Sequence, residues 1–217
     1  MEAKDINFAA MPQTAVRVVK APAEFFKSMP KTGGFLEPLI FAAIMGFIAG
    51  IILFIINILG LGRGFMVSVS VIVVLAIAAV VGSFIGAVVI FVIWKLMGSQ
   101  KNYETSYRCA AYLMALAPIV VIISIIPYAG GIINMVIYVY YLVIASTQVH
   151  NIPSQKAWLV FGIIGGILAL IGISAEYKAR NMAPTAEQYR KKSDETIKQY
   201  EKFLEEAKAR KEAERNR

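Results

Sequence analysis

Imidazole and thiol side chains, the usual ligands of a zinc ion, number one each in this chain: His150 and Cys109. A zinc site typically takes several such groups, so no metal is expected. Cys109, at the start of an apolar run, reads as a small buried hydrophobe. No Walker motif, dinucleotide fingerprint, zinc-protease helix or Ser/His/Asp set can be assembled. No cofactor is expected, and the chain reads as a non-enzyme. One polar grouping does have helical order: Tyr103–Tyr107, Glu104–Arg108 and Arg108–Tyr112 are i,i+4 neighbours, which meet on a helix surface. Tyrosines around an arginine suit an interfacial belt with a snorkelling cation. Alternatively, Arg108 binds a lipid headgroup or orders the loop between the second and third apolar runs.

The elements that must hold these residues follow from where charge is missing. Hydrophobic residues make up 58% of the chain and charged ones 17%, against about a quarter charged in soluble domains. Residues 38–62, 64–94, 109–155 and 157–175 hold no Asp, Glu, Lys or Arg, in runs of 25, 31, 47 and 19 positions. A hydrocarbon core about 30 Å thick needs roughly 20 residues of apolar helix, so these runs are membrane spans. Gly60, Gly62 and Gly64 around Arg63 make a turn, and Gly98 to Arg108 a polar loop. The longest run divides at Pro127-Tyr128-Ala129-Gly130-Gly131, its strong breaker cluster. The predicted fold class is all-α: a polytopic membrane bundle of about five transmembrane helices, at about 38–59, 65–96, 109–126, 132–149 and 157–174. A juxtamembrane segment (1–35) precedes the transmembrane domain (36–175), and a charged helical tail (176–217) follows it. A hairpin inside 64–94 would give six spans, but each arm would be roughly 22 Å of helix, short of the hydrocarbon thickness.

Residues 1–35 contain no continuous apolar h-region, so no cleaved signal peptide is expected. Pro22 can open and Pro30 close a short helix that carries Phe25 and Phe26, with Lys20, Lys27 and Lys31 nearby. That helix lies either in the headgroup region with its aromatics down or as a cap packed on the bundle. The tail after Pro184 reads as one long helix, capped by Thr185 or a neighbour, with Glu187–Lys191, Asp194–Lys198 and Glu206–Arg210 as i,i+4 pairs. Ile197, Tyr200, Leu204 and Ala207 follow 3-4-3 spacing, a narrow seam suited to self-association or a protein partner; the other reading is a solvated single helix.

The net charge of +8 is no nucleic-acid signature, because the last 43 residues hold twelve basic and nine acidic side chains. No nucleic-acid partner is expected. With five spans, the N-terminal side carries nine basic residues and the opposite side six within reach of the last span, which favours a cytoplasmic N-terminus. No ionisable residue lies near the middle of a span, which counts against a proton-coupled carrier. Asn134 and Tyr138 are polar groups within the spans, available for interhelical hydrogen bonds or, with Arg108, for a neutral-solute or lipid pathway. Small-residue ridges recur at Ala42, Gly46 and Gly50, at Ala78, Gly82 and Gly86, and at Gly162 and Gly166 with Gly165 and Ala169. They allow close helix approach, within one chain or across a homo-oligomer.

Residues 19–50, VKAPAEFFKSMPKTGGFLEPLIFAAIMGFIAG, resemble the opening of bacterial members of the Yip (Ypt/Rab-interacting protein) family through Pro22, Phe25, Phe26, Gly34, Pro38 and Phe41. Residues 103–158 are similar to the family's later spans at Tyr107-Arg108, Tyr112, Pro118, Pro127 to Gly130, Tyr138, His150 and Lys156-Ala157. The likeness covers about residues 16–175. It implies a five-helix membrane domain with a cytoplasmic N-terminus. Eukaryotic relatives are linked to small GTPases and vesicle traffic, and prokaryotic relatives are largely without an assigned activity. The expected function is that of a non-enzymatic, multi-pass protein of the plasma (inner) membrane of a prokaryote, with an interaction or membrane-organising role. The alternative is a transporter or lipid-handling protein. Expected lipid or partner contacts are Phe25, Phe26, Arg108, Tyr112, Asn134 and Tyr138; expected packing positions are Gly46, Gly50, Gly82, Gly86, Gly162 and Gly166. The expected partners are membrane lipids and, through the C-terminal helix, a second copy or another protein.

Overall fold

In hydrocarbon a backbone N–H or C=O finds no water, so a long apolar run folds as helix, which pairs those groups within itself. The computed structural model describes residues 8–61, 69–181 and 186–215, and among them there is no strand. A 3₁₀ turn (Phe8–Ala10) leads into α1 (Met11–Lys20), α2 (Pro22–Ser28), α3 (Leu36–Ile58), α4 (Val71–Leu96) and α5 (Tyr103–Leu113). After a second 3₁₀ turn (Met114–Leu116) come α6 (Ala117–Ile123), α7 (Ala129–Gln148), α8 (Ser154–Asn181) and α9 (Ala186–Arg215). Among the described residues, five helical segments are long and apolar enough to cross a membrane: α3, α4, the compound segment Tyr103–Ile123, α7 and α8. The turn expected at Gly62, Arg63 and Gly64, the start of the second span at residue 65, and the cap at Thr185 lie outside the described residues.

The third span is interrupted for a chemical reason. Pro118 has no N–H to give and its ring crowds the carbonyl four residues back, Met114. The chain tightens there, with Ala117 N–H donating to Met114 O, as in a 3₁₀ turn.

The chain forms two compact units, Met1–Ile173 and Ser174–Arg217. In the first, α3 lies against α4 so closely that a Cβ on Gly46 would sit 2.5 Å from Ala79 Cβ, and one on Gly50 2.6 Å from Ile72 Cα. Gly130 likewise lets α7 start against the end of α6, where a Cβ would collide with Ile123 O. The other ridge positions make no such close approach within the chain. A Cβ on Gly82, Gly86, Gly162 or Gly166 would meet nothing within 4 Å. The cause is rotation about the helix axis. α4 turns Ile72, Leu75, Ala76 and Ala79 toward α3, and α8 meets Val139 through Gly165. The far side of α4 shows Val74, Ile77, Val81 and Ile85 to the surroundings, the surface expected of a span that faces lipid.

In the second unit, Arg180 donates to Glu176 Oε1 from Nε at 2.9 Å and Nη2 at 2.7 Å, an i,i+4 pair. Helix α9 leaves Ile197, Tyr200 and Leu204 exposed; the side chains of Glu187, Ala207 and Arg210, expected in its seam and pairs, lie outside the described residues.

Candidate functional site

Asn102 starts the site by starting a helix. Its extended backbone and short polar side chain suit an N-cap: Oδ1 accepts the Thr105 N–H at 3.0 Å. The first turns of α5 then carry Glu104, Thr105 and Arg108 on one face. All three grip the segment between α2 and α3. Glu104 Oε1 accepts the Gly34 N–H at 2.7 Å, and Thr105 Oγ1 lies 3.0 Å from Lys31 O. Arg108 donates from Nε to Pro30 O at 2.8 Å and from Nη1 to Gly34 O at 2.8 Å. Its Nη2 reaches Glu37 Oε2 at 3.3 Å and Tyr112 OH at 3.5 Å. A guanidinium's planar fork of donors is what lets one side chain hold several acceptors at once. Gly33 and Gly34 have φ of 124° and 85°, a left-handed course that glycine takes freely and that turns the Gly34 carbonyl toward Arg108.

Around this clamp sits an aromatic shell. Tyr112 meets Phe25 edge-on at 5.1 Å and Phe41 at 5.2 Å between ring centroids, and the Arg108 guanidinium lies 5.9 Å from the Tyr112 centroid. On the other side Tyr107 stacks on Phe84 at 4.3 Å, and Tyr103 OH donates to Phe84 O at 3.1 Å. Lys31 closes the edge by donating to the carbonyls of Phe26 and Lys27; burial lowers its pKa from the ordinary lysine value, with Lys101 adding to the shift and Cys109 opposing it.

The sequence-predicted contacts Phe25, Phe26, Arg108 and Tyr112 are thus brought together, but not at a lipid-facing surface. Their exposures are 6%, 0%, 1% and 4%. Of the two positions open to the α2 helix, it takes that of a cap packed on the bundle. Arg108 is bonded to the loop between α2 and α3, not to the one between the second and third spans. The reason is stoichiometric: Pro30, Gly34 and Glu37 supply the acceptors a buried guanidinium needs. Asn134 and Tyr138 lie elsewhere. Asn134 Nδ2 donates to Val120 O at 3.1 Å, tying α7 to α6, and Tyr138 packs partly buried against the core.

A second polar cluster was not singled out by sequence reasoning. Trp94 Nε1 donates to Ser146 Oγ at 2.7 Å, and the indole stacks on His150 at 3.7 Å between centroids. His150 Nδ1 lies 2.7 Å from Ser99 Oγ, while its Nε2 is buried with no hydrogen-bond partner. Burial pushes the His150 pKa down from 6.5 to about 3, with Lys101, Lys31 and Lys95 adding to the shift. The imidazole is neutral at physiological pH. Nearby, Lys156 Nζ donates to Met97 O at 2.9 Å. A tryptophan, a serine and a histidine far apart in sequence carry no spacing signal, so of these residues only His150 stands out, as the lone imidazole and through the family likeness.

Among the described residues, no group of three or more His, Cys, Asp and Glu side chains converges as a metal site. The free Cys109 is fully buried. Residues 16–175 match the family model described as Yip1 domain. No curated protein and no solved structure matches the chain.

Proposed function

From a chain that belongs to the Yip1 domain family and is a multi-pass helical membrane protein, we propose a non-enzymatic interaction or membrane-organising role in the plasma membrane of a prokaryote. The N-terminus is cytoplasmic in this reading, because the basic residues favour that side by nine to six. One observation carries the role. The polar side chains at the start of α5 bond the chain's own backbone: Arg108, Glu104 and Thr105 hold residues 30–37 in place. A segment held by four hydrogen bonds from one helix is a fixed platform, and a surface left for partners is the exposed Ile197–Tyr200–Leu204 stripe of α9. The alternative pathway for neutral solute or lipid has less support, since Arg108 pairs with the α2–α3 loop and Asn134 with α6.

The test is affinity purification of the full chain from its native membranes, comparing wild type with a variant carrying Ile197→Asp, Tyr200→Asp and Leu204→Asp. The expected result is loss of a specific co-purifying protein, or of a second tagged copy, with the bundle's melting temperature unchanged. An identical set of bound proteins from both would defeat the proposal.

A further inference from the structure

An open groove of about 500 Å³ runs beside α1 in the membrane unit. Its walls come from three elements: α1, including Val16; the middle of α3, including Ile48; and the interruption of the third span, Ala115 and Pro118. All of its lining side chains are apolar except Lys20, at the C-terminal end of α1. Val16 is 51% and Ile48 36% exposed. In a bundle that spans a bilayer, exposed apolar side chains in the middle of a span meet hydrocarbon rather than water. A concave apolar surface left empty forfeits dispersion contacts on one side, and beside a membrane span the apolar material at hand to fill it is acyl chain. Helix α1 is roughly 15 Å long, so the groove can take many methylenes in file. Its single cation stands at one end only. That arrangement, apolar along its length and positive at one terminus, is the complement of an anionic phospholipid.

We propose that this groove binds one anionic phospholipid of the surrounding leaflet, with an acyl chain between α1 and α3 and its phosphate at Lys20. The inference is independent of the tail's proposed role. It gives α1 a reason to be amphipathic: Met11 and Val18 face the core and are buried, Gln13 and Arg17 are exposed, and the lipid fills the seam beside them. The interruption at Pro118 also gains a consequence, since it forms one wall of the groove.

The full chain, reconstituted in separate nanodiscs of phosphatidylglycerol and of phosphatidylcholine and then released into mild detergent, is examined by native mass spectrometry. Wild type is expected to keep one phosphatidylglycerol after annular lipid is stripped, and to keep phosphatidylcholine less. Lys20→Gln should reduce that preference about fivefold, as for one basic group near an anionic headgroup. Val16→Trp, which fills the groove from α1, should abolish retention of both lipids; Ile48→Trp does the same from the opposite wall should the first variant fail to fold. Ile77→Trp, on the outward face of α4, should change nothing. Retention unaltered in the folded groove-filling variants would overturn the proposal, as would equal retention of the two lipids by wild type. A dimer lost on filling the groove would also overturn it, by placing a second copy there.

Discussion

Arg108 shows how little a residue's type says about its job. A lone arginine at the start of an apolar run has the look of an interfacial anchor, yet it is 1% exposed and bonded to Pro30, Gly34 and Glu37. Arg108→Lys keeps the charge but not the fork, so it should lose about 2–3 kcal/mol of stability and open the chain after Lys31 to trypsin. Thermal melting in detergent with timed proteolysis checks this; unchanged protection at Lys31 would count against the clamp. His150 makes a prediction with a definite sign. Its folded pKa of about 3 lies below the ordinary 6.5, so between those values the unfolded chain binds the extra proton. Stability therefore falls as pH drops below 6.5, by about 2 kcal/mol at pH 5. Unfolding followed from pH 7 to pH 5 should show that loss, and His150→Gln should remove most of it. A slope identical in the two proteins would exclude His150 as its source.

At the scale of elements, glycine spacing was legible but helix rotation was not. Gly46, Gly50, Gly82 and Gly86 have the same small-residue spacing, yet only the first pair faces a neighbouring helix. Gly46→Leu and Gly50→Leu must displace the α4 backbone and should each cost about 1–3 kcal/mol or more. Gly82→Leu points outward and should stay within about 0.5 kcal/mol. Melting midpoints of the three variants in one detergent decide it; a stable Gly50→Leu would refute the close α3–α4 contact. Helix α1 went unread because Gln13, Thr14, Arg17 and Lys20 interleave with its apolar residues, and its Met11, Ala15, Val18 and Val19 stripe is short. Pro118 was noted for its family position, whereas its physical effect, the 3₁₀ interruption, depends on the carbonyl it crowds.

For the whole molecule, the five candidate spans among the described residues predict that the two ends of the chain lie on opposite faces of the membrane. Single cysteines at the exposed positions Lys27 and Tyr200 should therefore label with a membrane-impermeant maleimide from opposite sides. The native Cys109 is fully buried and should stay silent. Labelling of both positions from the cytoplasmic side would rule out an odd number of spans.

The chain's membrane character was decided by sequence alone, because an absence of charge over 25, 31, 47 and 19 positions is a local property with one structural answer in hydrocarbon. The family likeness over residues 16–175 was legible for a similar reason: proline, glycine and aromatic positions kept their order along the chain. What the arginine, the glutamate and the two phenylalanines touch was left to tertiary structure. Arg108 meets a carbonyl 74 residues away, Tyr141 one 122 away, and Ser99 a histidine 51 away. No helical period predicts such partners. Burial then reverses the meaning of the side chains: a charge that would seek water on an isolated helix becomes a tie within the bundle once backbone acceptors surround it.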